Sequence, residues 1–157
     1  MLSLNAKLNW HNFERAVAAY KPMNHKPALI KLYHLLVQAD GNVNEREVST
    51  GKQMIKAEGI GEYEFKTQLD SLKKRNPNVV LSECLEELKR LDHEKQVRCI
   101  AWLCVIANAD GFMDRTEWQF IYKLYHKELN LQLDEIMKVQ KGLIGLKEKS
   151  LANSPVL

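Results

Sequence analysis

Apolar residues recur along this chain at intervals of three and four, and no apolar-polar alternation lasts long enough to build a strand. That is the period of an α-helix, so the pattern predicts an all-α fold of about eight helices. A first helix is expected over about Asn9 to Tyr20, with Phe13, Val17 and Tyr20 on one face. A second starts near Pro27, a favoured first-turn residue, and carries Leu29, Leu32, Tyr33, Leu36 and Val37 to its end at Asp40 and Gly41. The third runs from Asn44 to about Glu58 and stops at Gly59, which suits a left-handed C-terminal cap. A fourth covers Glu62 to Arg75 and is closed by Asn76 to Asn78. Ser82 is expected to cap a fifth, with Cys84, Leu85, Leu88 and Leu91 facing inward. The sixth begins at Asp92 or His93 and ends at Ala109, and the seventh runs from Asp114 to Leu129, stopping at Asn130. The eighth covers about Leu133 to Leu146, and 148–157 reads as a flexible tail behind a single domain over 1–147.

Laying Ile30 onward over Ile100 onward matches the second helix to the sixth and the third to the seventh. Ala39-Asp40-Gly41 falls on Ala109-Asp110-Gly111, and Glu47 falls on Glu117. Past the third helix the match continues with one residue inserted. The chain therefore reads as two tandem repeats, about 9–75 and 82–146, each centred on a helical hairpin with an Ala-Asp-Gly turn.

The repeated turn has two readings. In the first, Gly41 and Gly111 end one helix, while Asn44 and Asp114 cap the next. Three residues after each cap comes Glu47 or Glu117, placed to complete a capping box. Val43 and Met113 precede the caps, where they can staple onto Val48 and Trp118. This leaves Asp40 and Asp110 to explain. An acid at a helix C-terminus opposes the macrodipole, at a cost of about 0.3 to 1 kcal/mol, so each needs a compensating partner: a cation or a backbone amide of the turn. In the second reading the pattern reproduces the latter half of an EF-hand calcium loop. Its first half is missing, since Leu36 and Gln38, or Ile106 and Asn108, stand where that loop needs oxygen ligands. Each copy is then a half-site, Asp40, Asn44 and Glu47 or Asp110, Asp114 and Glu117, and two hairpins brought together would pool them. Calcium or magnesium suits such oxygen donors better than zinc.

A duplicated hairpin with this turn, in an all-helical chain of this length, resembles the TerB-like family of tellurite-resistance proteins over about Lys26 to Gly145. The resemblance implies an all-helical fold of two repeats, with acidic clusters proposed as metal sites: Asp40, Asn44 and Glu47, and Asp110, Asp114 and Glu117. Asn44 departs from the pattern, which usually has an acid there. The implied role is non-enzymatic, in tellurite or another stress response, through ion binding and protein association.

Composition narrows the alternatives. The 157 residues include 45% hydrophobic and 27% charged, and 23 basic residues against 20 acidic ones leave a net charge of +3. Those charges are interspersed, which argues against nucleic acid as a partner. The densest basic run, Lys73 to Arg75, is placed at a helix end where cations complement the dipole. Cys84, Cys99 and Cys104 form no Cys-x-x-Cys pair and sit on apolar faces, as reduced thiols in a cytoplasmic protein would. No signal peptide is visible, and the longest apolar stretch, Cys99 to Ala109, is far short of the roughly 20 residues that a membrane span needs. The five histidines show no ligand spacing and read as surface or capping residues. No HExxH, Gly-rich phosphate loop or G-x-S-x-G motif is present, so the expectation is that the chain is not an enzyme. Trp118, Tyr122 and Tyr125 share one face of the seventh helix, which gives the alternative function: a helical adaptor that binds a protein, a second copy of itself included, with no ion.

Overall fold

The computed structural model describes residues 12, 24–39 and 43–152, the side chains of 39 and 147–152 excepted. Among these residues every regular element is helical. In chain order they are α1 (Lys26–Ala39), α2 (Glu45–Glu58), α3 (Glu62–Lys73), α4 (Pro77–Arg90), α5 (His93–Ala107), α6 (Arg115–Tyr122) and α7 (Leu133–Ala152). Between α6 and α7, and continuous with α6, lies a π-helical segment, Lys123–Glu128. The all-α expectation holds. The helix expected over 9–20 lies outside the described residues, apart from Asn12, which is helical.

The core is organised around α5. Val97 and every residue from Cys99 to Ala107 are buried, so this helix has almost no solvent face and is a core element rather than an amphipathic one. Asp92 caps it, accepting the Lys95 amide at 2.9 Å. Helices α1, α2, α6 and α7 pack on it, and α3 and α4 pack against α1. Trp102, Ile100, Leu103 and Ile106 are fully buried there, against Leu29, Leu32 and Leu36 of α1 within one hydrophobic cluster. Each such side chain contributes about 1.5–3 kcal/mol. Cys84, Cys99 and Cys104 are buried free thiols; burial pushes Cys84 and Cys104 up to about 12 and raises Cys99 further, so none is a ready nucleophile.

One buried ion cluster ties three elements together. Glu58, the last residue of α2, accepts from Arg98 of α5 through Nε and Nη2, both at 2.7 Å, and lies 2.9 Å from His25 Nε2 just before α1. Its side chain is only 3% exposed. Burial alone would raise its pKa, but the hydrogen bonds and charges of His25 and Arg98 outweigh that and hold the carboxyl at about 2. An acid at a helix C-terminus is disfavoured by the dipole, so Arg98, with the His25 ring beside it, is what makes this position tenable.

Several boundaries differ from the sequence expectation. The fifth helix starts not at Ser82 but at Pro77, because Asn76 accepts the Asn78 amide at 2.8 Å and Pro77 occupies the first turn. The seventh changes at Lys123 to π geometry, which brings adjacent Leu124 and Tyr125 both into the core before Asn130, at φ 52°, ends the run. The eighth continues as helix to Ala152 rather than giving way near Leu146.

The Glu58 cluster makes a pH prediction. A carboxyl with a depressed folded pKa contributes stability that is complete above its unfolded pKa of about 4.3 and is lost as pH falls toward 2. Glu58→Gln should cost about 1–3 kcal/mol at pH 7, discounted for the partly exposed Arg98, and should flatten the loss of stability between about pH 4.5 and 2. Urea melts of both proteins across that range check it.

Candidate functional site at the paired helix turns

The second turn is fixed by the core helix that feeds it. At the end of α5 the Asn108 and Ala109 amides fold back onto the Cys104 and Ile106 carbonyls, both at 3.1 Å, and the Asn108 side chain donates to Cys104 at 3.0 Å. Gly111 then reverses the chain at φ 84°, a conformation that disfavours any residue with a Cβ. Asp114 caps α6: its Oδ1 accepts the Glu117 amide at 2.8 Å, and Glu117 Oε1 accepts the Asp114 amide at 3.4 Å. The capping box expected from sequence is therefore formed. Glu117 is 3% exposed, an acid buried at a helix N-terminus where the dipole favours it.

Asp110 finds a backbone partner. Its Oδ1 accepts the Phe112 amide at 3.2 Å, an Asx turn within the loop. Its Oδ2 accepts from Asn44 Nδ2 at 3.3 Å, a contact 66 residues away in sequence. The start of α2 thus meets the second turn, joined through the residue whose placement called for a partner.

In the first turn, Asn44 Oδ1 accepts the Arg46 and Glu47 amides at 2.8 and 3.1 Å and caps α2. Glu47 is 4% exposed, close enough to Tyr33 of α1 that burial, and then this carboxylate, push the tyrosine up to about 12. Asp40 and Gly41 lie outside the described residues. Of the six expected site residues, the structure brings Asn44 and Asp110 into contact and pairs Asp114 with Glu117. Glu47 is anchored beside Asn44.

As a cation site, the described residues are incomplete. Among them no group of three His, Cys, Asp or Glu side chains is placed to hold a metal ion. The carboxylates of the second turn point largely at their own backbone amides. Two features went unread in the sequence. His34, expected at the surface, is 4% exposed, and its place inside the apolar run Leu32-Tyr33-His34-Leu35-Leu36 was the available signal. Beside it, among the described residues, lies an open groove of about 400 Å³ between α1, α2 and α3. On α6, Trp118 and Tyr122 are exposed, with Tyr125 packed edge-on to Tyr122 and His126 stacked on it at 4.8 Å.

Compared with known proteins, residues 26–140 match the family model described as tellurite resistance protein TerB. That span runs from the start of α1 into α7. No curated protein and no solved structure matches the chain.

The seam between the turns is measurable without any ion. In chelator, Asp114→Ala should cost about 1 kcal/mol as the loss of a helix cap. Asn44→Ala and Asp110→Ala together should cost about 0.5 kcal/mol less than their separate losses summed, because they share one hydrogen bond. A double-mutant cycle by chemical denaturation reads this coupling.

Proposed function

The chain belongs to the TerB family of tellurite-resistance proteins, and from that premise we propose that it is a non-catalytic binding domain of a tellurite or related stress response, its two turns together taking one divalent cation. The observation that supports this reading is the hydrogen bond from Asn44 to Asp110, which puts one candidate ligand of each turn in contact. One turn offers three oxygen side chains; a hard cation takes six to eight oxygens, so only the pair of turns approaches a full shell. Asp110, Asp114 and Glu117 supply the second half, and Asn44, Glu47 and Asp40 the first. Asp40 is required, and it lies outside the described residues. The donors are all oxygens, which favours calcium or magnesium over zinc. The three buried thiols suit a reducing cytoplasm. Among the described residues no helix is long and apolar enough to cross a membrane.

A second reading rests on the aromatic surface of α6. Trp118 and Tyr122 are 39% and 37% exposed, and exposed aromatics in a cluster are the material of a protein interface. In that reading the domain is a helical adaptor for another protein or a second copy, and the turns only cap their helices.

Thermal melts with calcium, magnesium, manganese or zinc against chelator separate the two. A cation at about 100 times its Kd should add roughly 2.7 kcal/mol, several degrees in Tm. Asp110→Asn combined with Asp114→Asn should abolish the shift. Melts that do not move with any ion, or that move equally in the double variant, remove the cation reading and leave the adaptor.

A further inference from the structure

The groove between α1, α2 and α3 lies outside everything the paired turns account for. Val37, Val48, Ile55, Phe65 and Leu69 supply its apolar lining. Helix α3 contributes lining residues from Glu62 to Lys73, a length of roughly 16 Å. A single concave volume of about 400 Å³ has the scale of a small-molecule site, whereas a groove for a helix presents a row of separate anchor pockets.

The polar groups of the groove are unevenly placed. His34 is in the lining, 4% exposed, and among the described residues its Nε2 has no hydrogen-bond partner. Burial, and then the charge of Lys73, hold this imidazole below its ordinary pKa, so it is neutral beside a cation. Lys73 meets Asp70 only at 3.8 Å on an exposed side chain, a pair of little strength. Lys52 and Lys66, also in the lining, make no ion pair among the described residues. Two acids, Glu62 and Asp70, stand among these three lysines, so the groove keeps a positive balance.

We propose that this groove binds a medium-chain acyl carboxylate, with the chain between α1, α2 and α3 and the carboxylate at the end marked by Lys73 and His34. The apolar lining removes the chain from water. The ammonium of Lys73 supplies a charge-assisted hydrogen bond, and the neutral imidazole of His34 gains the partner that it lacks for Nε2.

The test titrates the full chain with decanoate, below its micelle concentration, and with decanol as the uncharged comparator, by isothermal calorimetry and by the ring-nitrogen NMR signal of His34. The expected result is one decanoate per chain, bound more tightly than decanol, with a shifted His34 signal. Lys73→Gln, at an exposed side chain, should weaken decanoate about tenfold and leave decanol unchanged. Val48→Trp, which fills the groove from a half-buried position, should abolish binding of both. Equal affinity for acid and alcohol, or an equal loss of both in Lys73→Gln, overturns the head-group assignment. Failure to bind decanoate while an acidic amphipathic peptide binds and is blocked by Val48→Trp overturns the ligand class in favour of protein docking.

Discussion

A helix buried on nearly every face constrains everything around it. From Cys99 to Ala107, α5 presents no side chain to water, so its backbone polarity must be resolved at its two ends and its sides must be covered by other helices. Asp92 resolves the first end. At the second, the orphan carbonyls are taken by Asn108 and Ala109, and the chain leaves the core directly into Asp110 and Gly111. The turn with functional interest is thus the surface end of the most buried element. Its position is set by core packing and not by loop chemistry.

The same constraint explains why Asn44 meets the second turn. Helix α1 is also apolar through most of its length and packs on α5 as well as on α2. The helices that follow the two turns, α2 and α6, begin with an Asn and an Asp cap respectively, each with a buried glutamate three residues on. Capping and ligation draw on the same oxygens: Asp110 already serves one backbone amide and one side-chain amide. Any cation must therefore compete with, or share, hydrogen bonds worth about 0.5–1.5 kcal/mol each, which sets the scale of affinity the turns have to exceed.

Much of this was legible in the chain, and the exceptions have physical causes. Caps at Asn44 and Asp114, the left-handed residues Gly59 and Asn130, and the buried cysteines follow from local chemistry that does not depend on the rest of the fold. The start of α4 was misplaced because Asn-Pro serves equally to close one helix and to open the next, and only tertiary packing chooses. The π segment needs two adjacent side chains buried, which a 3.6-residue period does not show. His34 and the groove escaped because periodicity reports that a face is covered, not what covers it or how completely. The Glu58 cluster escaped because its partners lie 33 and 40 residues away. The candidate residues of both turns could be named from sequence, but the contact of Asn44 with Asp110 could not, since it depends on how α1 and α5 lie against each other.

Helix α2 connects all three features. Its first turn holds Asn44 and Glu47 at the seam, its middle lines the groove with Val48, Lys52 and Ile55, and its last residue is the buried Glu58. Its approach to α1 is set at Gly51, where a Cβ would come within 2.6 Å of the Tyr33 ring. Tyr33 in turn lines the groove and lies within the field of Glu47. The spacing of α1 and α2 therefore governs the width of the groove and the placement of the first turn together. Glu58 bound to Arg98 fixes one end of α2, and Gly51 seated on Tyr33 fixes its middle. Any change in the spacing of α1 and α2 would therefore reach the groove and Asn44 through the same helix.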